Sequence, residues 1–68
     1  MEIRVLKEYE SKRVKIILKN NFVYSGIYFT ITSDGLLEFE DRNKEIIRLE
    51  PSFVVMIVEI NDGGRING

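Results

Sequence analysis

The 68-residue chain contains no cysteine and no histidine. Without cysteine it can form neither disulfides nor thiolate zinc sites, and without histidine it lacks the commonest general base and metal ligand. A domain of this size buries only about 60% of the surface that its unfolded chain exposes, so a single core is marginal. We therefore expect one domain that depends on a very well packed core or on self-association.

An excess of charge of one sign is also missing. Ten basic residues face eleven acidic ones, for a net charge of -1, which argues against strong non-specific binding to nucleic acid but leaves local patches open. No apolar run approaches the roughly 18 residues of a membrane span, and the first residues do not resemble a signal peptide. Together with the missing cysteine, these features predict a cytoplasmic protein that binds no membrane.

Catalytic groups are equally sparse. The Ser–His–Asp and Cys–His sets are impossible because their partners are missing. Gly63-Gly64 is not followed by a helix and does not resemble a phosphate loop. Glu38 and Glu40 alternate on one strand face, where they most simply solvate it. We predict that the chain is not an enzyme and carries no cofactor and no metal.

A short helical pattern is followed by five strand patterns. Ile3, Leu6 and Tyr9 recur at helical spacing, whereas apolar residues alternate from Lys12 onwards. Between the strands lie turn residues such as asparagine and glycine. The predicted elements are a helix at about 3–10 and strands at about 13–19, 22–32, 36–41, 45–49 and 53–60, with a break at Pro51-Ser52.

Gly26 lies in the middle of the longest strand pattern, FVYSGIYFTITS. Glycine inside a strand often marks a bulge or a bend at a barrel corner. The sequence thus predicts an all-β fold with a short N-terminal helix: a five-stranded, strongly bent antiparallel small barrel. It forms a single domain over residues 1–60, and residues 61–68 are predicted to be a flexible tail.

The fifth predicted strand, FVVMIVEI, is apolar on both faces. One face begins with Phe53 and the other with Val54. Either the helix or the bent second strand covers the second face, or strands four and five meet another subunit. A bare edge strand of this composition would promote aggregation.

Aromatic residues and one arginine are candidates for ligand contacts. Three tyrosines and four phenylalanines could stack on bases, although most lie in strand patterns where core packing is the simpler interpretation. Arg48 is the only charged residue between Ile46 and Leu49. It is either a rim arginine that faces solvent or part of a binding site.

The order of these elements resembles that of the Sm and Sm-like (Lsm) proteins, in their prokaryotic (archaeal-type) form. Such chains typically read V-x-V-x-L-K-N-G-x-x-Y-x-G-x-L around the first hairpin, and Ile47-Arg48-Leu49 matches two positions of the family's later I-R-G motif. The resemblance covers about residues 3–60. The matching residues around the hairpin are Val14, Ile16, Leu18, Lys19, Asn20, Tyr24 and Gly26.

The resemblance implies a homo-oligomeric ring, commonly of six or seven subunits. In that family strand four of one subunit pairs with strand five of the next, which would account for the doubly apolar fifth strand. The usual ligand is single-stranded RNA, often rich in uridine, in RNA processing or ribonucleoprotein assembly. The residues expected at the subunit interface are Ile46, Ile47, Val54, Met56 and Val58.

The resemblance also implies four RNA-binding positions, of which Arg48 carries the expected residue. Thr32 stands where an aspartate usually orients the loop, Asp34 where a stacking residue is common, and Leu36 where an asparagine is usual. A carboxylate stacks poorly on a base, and leucine cannot hydrogen-bond to uracil. The expectation is an RNA-binding ring with a diverged pocket that need not be specific for uridine. The alternatives are an oligomeric scaffold or protein-interaction module without uridine-specific binding, and DNA binding.

Overall fold

The structure, a computed structural model, describes residues 1–61. A short N-terminal helix and a mostly β architecture, both expected from the sequence, are confirmed. A 3₁₀ turn at Pro51–Phe53 separates the last two strands at the predicted break. The elements are α1 (Ile3–Lys7), β1 (Val14–Leu18), β2 (Val23–Ile27), β3 (Phe29–Ile31), β4 (Leu37–Glu40), β5 (Ile46–Leu49) and β6 (Val54–Glu59).

The six strands form two antiparallel sheets of three strands each. The first sheet has the order β2–β1–β6 and the second the order β3–β4–β5. Within residues 1–61 no strand pairing joins the two sheets, so the barrel is not closed. The predicted tail lies, from residue 62 onwards, outside the described residues.

The single strand predicted at 22–32 is corrected to two strands. β2 ends at Ile27 and β3 begins at Phe29. Gly26 has a φ of 72°, and the β1–β2 register shifts between Val14 and Lys15. Gly26 is the residue left without a partner by this shift. An extra residue of this kind bends a strand and raises its twist. The bend therefore directs the chain from the first sheet into the second.

The helix is shorter than the predicted 3–10. It ends at Lys7, and residues 8–12 continue as turns. This segment is attached to β3 instead: the Glu10 carboxylate accepts a hydrogen bond from Ile31 N at 2.8 Å. Ser11 N also donates to Phe29 O at 3.2 Å. These contacts take up hydrogen-bonding groups on the outer edge of β3 that would otherwise face water.

One hydrophobic core serves both sheets. Alternate residues of β1 are buried, which confirms the period-two pattern of that strand. The only buried residue of α1 is Leu6. Each large apolar side chain that is fully buried contributes about 1.5–3 kcal/mol. The core consists of Leu6, Val14, Ile16, Leu18, Ile27, Phe29, Leu37, Phe39 and Val54.

β6 does not keep the strict alternation that the sequence predicts. Its pairing with β1 passes from Leu18↔Val54 to Ile17↔Met56, which leaves Val55 as an extra residue. Between these two pairs β6 therefore has one residue more than β1, which is a β-bulge. The bulge changes which side chains face inward after Val54.

Val54, the first residue of β6, is one of the residues expected at the subunit interface. It is 2% exposed and belongs to the core of the single chain, and its expected role at a subunit interface stays a prediction. Ile57 is partly buried and packs against the core. The outward-facing apolar residues of β6 are Val55, Met56 and Val58.

Candidate nucleic-acid interface

A cavity of about 400 Å³ lies at the end of the second sheet where β4 begins and β5 ends. It is lined by Thr32, Asp34, Leu36, Glu38 and Arg48. Four of these residues are the RNA-binding positions implied by the resemblance. The structure therefore brings those four side chains together, although they are up to 16 positions apart in the chain. Glu38 is the member that the sequence did not predict.

Thr32 organises the loop between β3 and β4. Its backbone N–H donates to Leu36 O at 2.8 Å, and its carbonyl accepts from Gly35 N at 2.9 Å. Its hydroxyl oxygen accepts a further hydrogen bond from Leu36 N at 3.1 Å. Gly35 has a φ of 83°, which only glycine adopts without strain. Threonine thus orients the loop that an aspartate would orient in the resembled family.

Asp34 and Leu36 contribute different surfaces to the cavity. Asp34 is exposed, and its Oδ1 accepts from Ser33 Oγ at 3.4 Å. At that length the bond is weak, so the carboxylate remains accessible to a ligand. Leu36 is half-buried, and both of its backbone polar groups already bond to Thr32. It therefore presents only an apolar side chain.

Arg48 is paired with Glu38 across the β4–β5 hairpin. The two residues are register partners, and Arg48 Nη2 lies 3.0 Å from Glu38 Oε2. The side chain of Arg48 is 61% exposed and that of Glu38 is 32% exposed. A pair this exposed contributes about 0–1 kcal/mol to stability. A ligand can therefore displace it at small cost.

The hairpin explains why Glu38 lies in the site. Residues at equal distances from Asn43, at the centre of the turn, are placed opposite each other in β4 and β5. Glu38 and Arg48 satisfy this relation. The position of the turn is visible in the sequence, so counting outward from it would have identified the pair. The simpler interpretation, an acidic residue that solvates a strand face, missed this partner.

The residues that line the cavity carry more negative than positive charge. Asp34 and Glu38 supply two carboxylates and Arg48 supplies one guanidinium among its lining residues, so the net charge at neutral pH is -1. A phosphate group near Arg48 is attracted by that residue and repelled by the two acids. The cavity is a less favourable phosphate site than an unpaired arginine would be.

A second cavity of about 360 Å³ lies beyond the other end of β4. Phe22 packs edge-on against Tyr24 with ring centroids 5.2 Å apart, and Tyr24 packs in the same manner on Phe39 at 4.9 Å. Asp41 Oδ1 accepts from Asn43 N and Glu45 N at 2.9 and 3.0 Å. This carboxylate is therefore committed to the turn, and the Tyr24 ring contacts the rings of both Phe22 and Phe39.

The candidate aromatic residues divide between core and surface. Phe29 and Phe39 are buried in the core, as the simpler interpretation held. Tyr9 and Tyr24 are half-buried. None of the seven lines the cavity that contains Arg48. The exposed aromatic residues are Phe22, Tyr28 and Phe53.

The residues expected at a subunit interface do not all face outward. Ile46, Met56 and Val58 are exposed, and Ile47 is half-buried, whereas Val54 belongs to the core. Among the described strands, β5 is at one edge of the second sheet and β6 at one edge of the first. Each of these strands therefore has one side that is not paired with another strand, although in β6 the Val54 carbonyl already accepts a hydrogen bond from the Met1 amine at 2.9 Å.

Two further searches of residues 1–61 were negative. No group of three or more acidic residues is arranged so that it could hold a metal ion, and no helix in this range is long and apolar enough to cross a membrane. Comparison with known proteins gives no match to any family model, curated protein or solved structure. The functional argument therefore depends on the chain's own residues and geometry.

Proposed function

We propose that this chain is an Sm-like subunit that forms a homo-oligomeric ring and binds single-stranded RNA, in RNA processing or ribonucleoprotein assembly. The observation that carries the proposal is the cavity lined by Thr32, Asp34, Leu36 and Arg48. The resemblance implied these four positions, and they converge on one concave surface. Chance convergence is less expected because Arg48 lies in β5, whereas the other three residues lie in the loop between β3 and β4.

The path of the chain also supports the proposal. When β2 and β3 are counted as one strand bent at Gly26, the element order becomes one helix followed by five strands. This order is that of the resembled family. The bend carries the chain between two sheets that share one core, which is the arrangement expected of a small, strongly bent barrel.

Exposed apolar residues on two edge strands support assembly into a ring. Ile46 on β5 is 57% exposed, and Met56 on β6 is 50% exposed. Pairing β5 of one copy with β6 of the next would bury these residues and satisfy both strand edges. Because the two edges differ, such an interface is heterologous and closes into a ring when the rotation permits.

Arg48 would provide the cationic contact to RNA. Guanidinium groups form strong hydrogen bonds with phosphate and with base acceptors. The Thr32 hydroxyl lies on the same cavity wall and can donate a hydrogen bond. Because Asp34 and Glu38 oppose phosphate and Arg48 is the one cation that lines the cavity, we expect RNA affinity that is moderate and falls only gradually with salt.

The test is a titration of fluorescent oligo-U and mixed-sequence RNA across a salt series, with Arg48→Ala and a matched control. Loss of one charge-assisted contact is expected to weaken binding about tenfold or more. Arg42→Ala removes the same charge from an exposed turn residue outside this cavity, and should weaken binding much less. The proposal is wrong if neither RNA binds the unsubstituted chain at low salt.

One observation favours the alternative function, an oligomeric scaffold without uridine-specific RNA binding. Glu38 neutralises Arg48 at 3.0 Å, and the half-buried Leu36 offers no polar side-chain atom to a uracil. A multimer of six or more copies in light scattering, combined with no RNA binding at low salt, would favour this alternative.

A further inference from the structure

Unused hydrogen-bond acceptors are concentrated on the wall of the cavity that contains Arg48. Glu38 forms an ion pair with Arg48 through Oε2 at 3.0 Å, and its Oε1 has no hydrogen-bond or ion-pair partner among residues 1–61. The one contact of the Asp34 carboxylate in the same range is the 3.4 Å bond from Ser33 to Oδ1. An ionised carboxylate accepts hydrogen bonds and donates none. Both acids therefore offer free acceptors to a ligand.

Three of the five backbone N–H groups of residues 32–36 are used, and those of Ser33 and Asp34 have no acceptor among residues 1–61. The backbone N–H groups of Thr32, Gly35 and Leu36 all donate within the loop. The remaining donors on the lining side chains are the Thr32 hydroxyl and the N–H groups of Arg48 that do not contact Glu38. A ligand that presents acceptors alone would therefore face two carboxylates and few donors.

The nucleobases differ in how many N–H donors they can present to the free carboxylate oxygens. The Watson–Crick edge of uracil has one N–H between two carbonyl oxygens. Guanine presents N1–H beside its N2 amino group, so one carboxylate can accept two parallel hydrogen bonds. Cytosine and adenine each present one amino group, and carboxylates accept from such amino groups in nucleic-acid recognition. Guanine is thus the base whose donors best match the free carboxylate oxygens.

We infer that this cavity selects an amino-bearing base, guanine above all, and discriminates against uracil. The inference rests on the proposed RNA-binding function. In it, Asp34 and Glu38 accept from the N–H groups of the base. Arg48 holds the Glu38 carboxylate at the cavity wall and donates its remaining N–H groups to the O6 oxygen or a nearby phosphate. Leu36 supplies an apolar contact.

The experiment compares fluorescent RNA hexamers by anisotropy at low salt. One hexamer is all uridine, and the others carry a single central guanosine, cytidine or adenosine. The unsubstituted chain is expected to bind the guanosine hexamer about tenfold more tightly than the all-uridine hexamer, within the range of a good bidentate base contact. Cytidine and adenosine hexamers should fall between these two.

Matched variants test whether the carboxylates produce this preference. The double variant D34N/E38Q replaces acceptor-only groups by amides that can also donate to uracil, so the guanosine preference should fall to about twofold or less while affinity for the all-uridine hexamer rises. The control is Glu40→Gln, which removes one negative charge from the same face of β4 outside the cavity. This control should retain the preference.

The outcomes separate the two proposals. If the unsubstituted chain binds the all-uridine and guanosine hexamers equally, or if D34N/E38Q keeps the full guanosine preference, the base assignment is wrong while RNA binding stands. If no hexamer binds to the unsubstituted chain at low salt, RNA binding itself is refuted.

Discussion

Gly26→Ala tests the bend that sends the chain from one sheet to the other. Gly26 has a φ of 72°, in the left-handed region that residues with a Cβ atom adopt at a cost. A Cβ at this position would lie 3.2 Å from Nη2 and 3.7 Å from the central guanidinium carbon of Arg13. Alanine therefore introduces both backbone strain and a close contact.

The two effects differ in size. Left-handed φ costs a residue such as alanine about 1–2 kcal/mol. The close contact is with the far end of a flexible side chain, and a few tenths of an ångström of movement relieve it at a smaller cost. We therefore expect Gly26→Ala to lower the free energy of unfolding by about 1–2 kcal/mol, a shift of very roughly 5–15 °C in Tm for a domain of this size.

The assay is thermal unfolding followed by circular dichroism at one fixed chain concentration, because self-association would make Tm depend on concentration. Gly26→Asn is the matched comparison: it places the same Cβ beside Arg13, but asparagine tolerates left-handed φ better than alanine does. The asparagine variant should lose less stability. The reasoning fails if alanine leaves Tm unchanged, or if asparagine destabilises the chain as much as alanine.

Two further substitutions test the turns and the proposed ring. Lys44 has a φ of 65° in the β4–β5 turn, so Lys44→Gly should raise the free energy of unfolding by up to about 1 kcal/mol in the same assay, and a loss of stability would contradict this. Val58→Glu places a charge on the exposed face of β6, next to its unpaired edge. In light scattering it should reduce the assembly to smaller species, because an unpaired charge in an interface is costly. Val23→Glu is the control on β2, where Val23 is similarly exposed, and it should leave the assembly intact.

Local patterns predicted the elements whose conformation is set within a few residues. β1 buries every second residue as its alternation indicates, and the turns at Asn21 and Gly35 contain left-handed residues of the types that favour such φ values. Glycine in the middle of the long strand pattern also indicated a bend. These features depend on short-range sterics and on one buried face, both of which are visible in a sequence.

Features that depend on register could not be predicted in the same way. The bulge at Val55 exists because β6 must match the positions of β1, and a plain apolar run does not show where an extra residue is placed. The pairing of Glu38 with Arg48 likewise depends on how the β4–β5 hairpin is aligned. The meeting of Thr32, Asp34 and Arg48 was predicted through the family resemblance, since no periodicity in the sequence brings those residues together.

Residues 8–12 lie between α1 and β1 and are attached to β3. This attachment has a consequence for assembly. Because Glu10 and Ser11 occupy hydrogen-bonding groups of Ile31 and Phe29, the second sheet can be extended by another chain along only one of its borders, that of β5. Growth of this sheet is thus unidirectional. If copies of this chain associate through the second sheet, β5 is the strand at which we expect them to pair.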